Sequence, residues 1–216
     1  MQVTARLAAR ASLANRRRKL RLFIETMRPT PETTVVDVGA SDAGFGREEG
    51  HGYTYNFFEA MYPWRDRITA VSDRPLERFH ASFPEIRCIV ADGKSLPFRD
   101  RQFDIAFSNA VVEHVGGREE QRRFVHELCR VADRVFVTTP NRWFPVEVHT
   151  LVPFAHWLPR RAADRVFAAL HKDEWQGVEL LTPQALLSLF PNGAQARLVD
   201  RAVTLAAATS QAPSSL

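Results

Sequence analysis

Cysteine is scarce in this chain. Cys88 and Cys129 are its two thiols, each in an apolar segment and without metal-type spacing, so a disulfide scaffold is excluded and free buried thiols in a reducing, cytoplasmic setting are expected. A run of about 18 or more apolar residues is also missing, so no membrane-spanning helix is expected. Arg6 and Arg10 have no apolar core behind them, so no secretory signal is expected. Aromatic residues are not interleaved with basic ones, as a single-strand nucleic-acid binder would require. Glycine is missing where a nucleotide loop needs it: Val35 to Gly46 reads V-V-D-V-G-A-S-D-A-G-F-G, with Ala40, Ser41, Asp42 and Ala43 between Gly39 and Gly44. No metal ligand set stands out.

What is present is ordinary in bulk. The 216 residues, 45% hydrophobic and 25% charged, suit one soluble domain, 1–216, with a full core. The net charge of +4 is concentrated at Arg16, Arg17, Arg18, Lys19 and Arg21. This run reads as the solvated face of an N-terminal basic helix within residues 1–30, with a substrate, lipid-surface or RNA contact as the alternative.

Periodicity supplies the elements. Residues 5–27 have Leu7, Leu13, Leu20, Phe23, Ile24 and Met27 spaced for one helical face, and Pro29 and Pro31 stop the helix. Short apolar runs at Thr34–Val38, Ile68–Val71, Ile86–Val90, Phe103–Phe107 and Arg134–Thr139 read as strands. Helical stretches at about 54–62, 75–82 and 119–131 lie between them. This alternation predicts an α/β, Rossmann-like, mostly parallel sheet with helices on both faces. Residues 141–178 are rich in Trp and Phe and predict an inserted helical, aromatic lid after the fifth strand. Thr182-Pro183 opens a helix running to about Phe190, residues 196–208 read as a strand or hairpin, and residues 210–216 read as a disordered tail.

In an open parallel sheet, ligands meet the carboxyl ends of the strands. Those ends carry Asp37 and Gly39, then Ser72 and Asp73, then Asp92 and Gly93, then Ser108 and Asn109. Acids at three of four ends suit a cationic ligand or one rich in hydroxyl and amino donors. They suit a dinucleotide less well, since that needs glycines and a single acid.

From about Val35 to Pro159 the chain resembles the class I S-adenosylmethionine-dependent methyltransferases of the methyltransferase type 11 family. V-V-D-V-G-A-S, A-D-G-K-S-L-P-F, F-D-I-A-F-S-N-A-V-V-E-H-V and R-V-F-V-T-T-P-N-R carry the resemblance, in the family's order and on the expected strands. The resemblance implies that Asp37 and Gly39 shape the turn at the methionine end of S-adenosylmethionine, with Ala40 and Ser41 presenting backbone groups. It implies that either the strand bulges and Asp73, displaced by one residue from the position that Ser72 holds, takes the ribose, or the ribose is held differently. It implies that Asp92 accepts from the adenine amino group beside Gly93, and that the Asn109 backbone lines the sulfonium side. His114 and His149 are the candidates for proton removal, and a structural role is open to both, as it is to Glu113. The expected function is methyl transfer to a small-molecule acceptor (at O, N or C), with a homodimer possible. The alternatives are an RNA methyltransferase and an inactive binding subunit of the same fold.

Overall fold

The computed structural model describes residues 2–43 and 56–209, with side chains from Leu13 onward. The side chains of Arg6, Leu7 and Arg10, together with Gly44, Gly46, the first residues of the helix expected from 54, and the tail from 210, lie outside what is described.

A seven-stranded sheet forms the centre of the molecule, in the order β3-β2-β1-β4-β5-β7-β6. Its strands are β1 (Val35–Val38), β2 (Ile68–Ser72), β3 (Arg87–Val90), β4 (Phe103–Asn109), β5 (Ala132–Pro140), β6 (Ala196–Arg201) and β7 (Thr204–Thr209). The first five are parallel, and β7 runs antiparallel to both β5 and β6. Residues 196–208 thus form a hairpin. The winding reverses between β1 and β4, whose register aligns Val35 with Ile105 and Asp37 with Phe107. A crevice for a ligand opens at such a reversal.

Helices cover both faces, as the two-residue period of the strands requires. Val36 and Val38 face α4 (Arg118–Val131) and α6 (Pro183–Leu187), packing with Phe124, Leu128 and Leu186. Val35, Ile105, Phe107 and Phe136 face α1 (Gln2–Met27), α2 (Phe57–Met61) and α3 (Glu77–Ser82). Thr182 caps α6 as expected, its Oγ1 accepting from Ala185 N at 3.2 Å, although the helix stops at Leu187 rather than Phe190.

Helix α1 belongs to this core. Phe23 is fully buried and meets the rings of Phe58, Tyr62, Phe107 and Phe136 edge-on, with centroids 5.0 to 6.0 Å away. The basic run on the same helix is therefore not simply solvated, which corrects the sequence expectation. Arg18 forms a bidentate pair with Asp200 of β6, and Lys19 Nζ donates to Asn109 Oδ1 at 2.8 Å. Burial lowers the Lys19 ammonium to about 8, more than the Glu113 charge raises it. One turn of α1 thus docks its cations on the sheet, while Arg17 and Arg21 are exposed.

After β5 the chain builds a small core of its own. Ala163 and Phe167 of α5 (Arg160–Ala169) pack with Ala155, Trp175 and Val178. Trp175 Nε1 donates to Asp164 Oδ1 at 2.8 Å. Two hydrogen bonds seat this segment beside β4: Glu179 N to Glu113 O at 2.8 Å, and Gln121 Nε2 to Glu179 O at 3.0 Å.

Candidate functional site

A cavity of about 830 Å³ opens at the carboxyl ends of β1, β2 and β3. Gly39, Ala40, Ser41, Ser72, Asp73, Asp92, Gly93 and His114, all singled out in the sequence, line it. The structure brings these together and leaves Asp37, Asn109 and His149 outside the lining.

Gly39 sits at φ +114, a conformation that an L side chain rarely adopts, and a Cβ there would meet Val111 Cγ2 at 2.1 Å. Ala40 and Ser41 do not have positive φ, so the loop tolerates side chains where glycine might be expected. Ala40 instead fills a place in the apolar core. The backbone N–H groups of this turn are taken within the protein. Gly39 N and Ala40 N both donate to Val71 O, at 2.9 and 3.1 Å, and Ser41 N donates to Asn56 Oδ1 at 3.0 Å. Asn56 Nδ2 also takes the Ser41 carbonyl at 2.7 Å. Among the described residues, no donor reaches the carbonyls of Gly39 and Ala40.

Asp37 points the other way, into the core beneath α2. It shares a fully buried site with Glu59, and burial together with the Glu59 charge raises its carboxyl well above the usual range. Burial raises Glu59 as well. Two carboxyls at close quarters in an apolar core hold a proton between them. Asp37 thus lies off the cavity lining, paired with Glu59 in the core. Glu59 was missed in the sequence, because nothing local marks a helical glutamate as an inward partner of a strand aspartate.

The second strand does not bulge. Its pairing with β3 is regular from Thr69 to Ser72, and Asp73 stands one residue past its end, exposed at the cavity. Ser72 Oγ accepts from Arg74 N at 3.3 Å, which shapes the turn. Asp92 is 57% exposed, accepts from Lys94 N at 2.8 Å, and lies 3.5 Å from Lys94 Nζ. It is at once a turn former and an exposed rim carboxylate paired with Lys94. Gly93 allows close packing, since a Cβ there would come within 2.6 Å of Phe124.

The Asn109 side chain turns away from the cavity. Its Oδ1 accepts from Thr138 Oγ1 and from Lys19, each at 2.8 Å. The cavity wall at this strand end is made by Ala110 and Val111 instead, with Ala110 held at φ +56. His114 follows on the same wall. His149, from the segment after β5, meets its ring edge-on at 5.0 Å between centroids. Glu147 Oε1 binds His149 Nδ1 at 2.7 Å. Glu147 is held down to about 2: burial opposes this, but hydrogen bonds from His149 and from the N–H groups of Thr150 and His149 win. Glu147 was also missed, since an E-x-H in a loop carries no periodic signal.

The family model described as a methyltransferase domain matches residues 50–134. No curated protein matches by sequence. Among solved structures, the chain is similar to the N-methyltransferase NodS from Bradyrhizobium japonicum in complex with S-adenosyl-L-homocysteine. That match has 12% identity and a TM-score of 0.58 over 93% of this chain and 86% of that one. It is similar to the methyltransferase domain of a bacterial CtHen1 (15% identity, TM-score 0.57, 92% of this chain and 99% of that one). It is also similar to the YcgJ protein from Bacillus subtilis (19% identity, TM-score 0.56, 85% of this chain and 71% of that one). Residues 50–134 thus match a methyltransferase domain, and the chain shares the fold of these solved methyltransferase structures.

Proposed function

We propose that the chain moves the methyl group of S-adenosylmethionine to a small-molecule acceptor, with the cavity beside Gly39 holding the cofactor. The observation that carries this reading is the placement of acceptor groups around that cavity. The Gly39 and Ala40 carbonyls suit the cationic methionine end. Asp73, which reaches the cavity from the turn after β2 without a bulge, suits the ribose hydroxyls, and Asp92 beside Gly93 suits the adenine amino group. When bound, S-adenosylmethionine supplies a methyl group on a sulfonium that leaves as a neutral thioether. The work left to the chain is to align the acceptor and exclude water.

His114 and His149 mark the side from which the acceptor comes. The segment 141–178 is the lid over that side. Its exposed Trp143, Phe154 and Trp157 favour an acceptor with an apolar part. The docking of Arg18 and Lys19 onto Asp200 and Asn109 takes charge away from the basic run, which weighs against RNA as the acceptor.

The test is transfer of labelled methyl from S-adenosylmethionine into a panel of small hydroxyl, amine and carbon acceptors, and into RNA at two salt concentrations. Label in a small molecule is the expected result. Label in RNA alone, lost steeply as salt rises, would overturn the acceptor class.

A further inference from the structure

Between the ends of β4 and β5, ionisable side chains gather in a way that methyl transfer itself does not require. The Glu113 side chain is fully buried. Thr139 Oγ1 donates to its Oε2 at 2.9 Å, while Oε1 has no partner among the described residues. An unsatisfied buried acceptor costs about 1–3 kcal/mol, and more when it is charged. Lys19 donates its hydrogen bond to Asn109 and acts on Glu113 through its charge alone. Glu113, His114 and His149 each offer one ligand atom, and these atoms lie within 4.8 Å of one another. His149 is oriented from behind: Glu147 Oε1 binds its Nδ1 at 2.7 Å, which leaves Nε2 as the nitrogen free to bind. Glu147 in turn is fixed by the N–H groups of His149 and Thr150, at 3.0 and 2.7 Å.

We infer that Glu113, His114 and His149 form a binding site for a divalent transition-metal ion, with Glu147 as the partner that positions His149. Two imidazoles and one carboxylate are the ligand types that Zn²⁺ and Mn²⁺ take, and a carboxylate behind a ligating histidine is the common supporting arrangement. Metal–ligand bonds of about 2.0–2.2 Å bring ligand atoms to roughly 3–4 Å apart, so modest side-chain rotations close the set. The cation supplies the charge that the free oxygen of Glu113 lacks. His114 is exposed and lines the cavity, so the remaining coordination positions face the acceptor's side. The ligands come from β4's end and from the segment beyond β5, far apart in sequence, which is why no metal-type spacing is visible there. Resting on the proposed methyl transfer, this site selects an acceptor with an oxygen donor, such as a hydroxyl or a carboxylate.

The experiment titrates the full chain, free of any tag and stripped with a chelator, with Zn²⁺ alone, and reads heat. A parallel titration with Co²⁺ reads visible absorption. S-adenosyl-L-homocysteine is titrated separately. One ion per chain is expected, with affinity falling at least tenfold in Glu113→Gln and in His149→Gln, and about tenfold in Glu147→Gln. His80→Ala, on the exposed side of α3, is expected to bind the ion as the parent does. Should one variant fail to fold, as judged by circular dichroism, the other variants and the Co²⁺ spectrum of the parent carry the test. Absence of binding, or binding that all three variants retain, overturns the metal site, even where S-adenosyl-L-homocysteine still binds. Metal binding without S-adenosyl-L-homocysteine binding would uphold the metal site and sink the cofactor reading instead.

Discussion

Gly39 and Val111 fit together with no room for one more carbon: a Cβ on Gly39 would stand 2.1 Å from Val111 Cγ2. The two residues belong to the ends of adjacent strands, β1 and β4, and both line the cavity. Gly39→Ala therefore faces a backbone penalty at φ +114 together with this clash. The expected result is a loss of several kcal/mol in unfolding free energy, or a loop forced open with cofactor affinity reduced at least tenfold. Denaturant unfolding and calorimetry measure the two directly. A variant unchanged in both would mean that the turn is looser than described.

Phe23 is the anchor of α1. Phe23→Ala removes a ring that meets four others, and is expected to cost about 3–5 kcal/mol. A melting temperature within a few degrees of the parent would show that α1 is not part of the cooperative unit.

Lys19→Met separates docking by charge from docking by packing. Asn109 keeps Thr138 as a donor but loses the ammonium. The expected cost is about 1–2 kcal/mol, with hydrogen exchange accelerated in α1 more than in the central strands. Uniform acceleration everywhere would contradict a local tie.

The Asp37–Glu59 pair gives stability a pH dependence of known sign. Both carboxyls are raised in the folded state, mainly by burial. A raised acid contributes stability that is fully present below its unfolded value, near pH 4, and is lost as pH rises through the folded value. Glu59→Gln supplies an amide that can donate to Asp37 without titrating. The variant is expected to gain about 1 kcal/mol or more on the parent at pH 8, with the gap closing toward pH 4. An identical gap at both pH values would mean that the pair does not share a proton.

The sheet was legible because its information is local. Thr34–Val38 and Arg134–Thr139 are apolar, β-branched runs bounded by proline or polar turns, and such runs have few other ways to fold. Asp92-Gly93 and Ser72-Asp73 could be placed at a cavity because they follow such runs. Long-range pairing was not legible. Glu59 beneath Asp37, Asn56 across from Ser41 and Lys19 on Asn109 are joined only when distant elements pack. In the linear chain, Lys19 looks like one more cation in a basic run. Glu147 likewise acquires a partner in His149 only through the turn that Thr150 closes. The Ala40-Ser41 spelling, which reads as a damaged glycine loop, is explained by dihedral angles: among the described residues of the loop, Gly39 alone has a positive φ.

The most direct measurement is a calorimetric titration of the full chain with S-adenosylmethionine and S-adenosyl-L-homocysteine, in the parent and in Asp92→Ala. Asp92 is an exposed rim carboxylate, so its loss should leave the fold intact. The prediction is micromolar binding of both compounds by the parent, at one site per chain, weakened at least tenfold in Asp92→Ala with the melting temperature unchanged. A parent that binds neither compound at millimolar concentration, or a variant that binds as well as the parent, would contradict the assignment of this cavity to the cofactor.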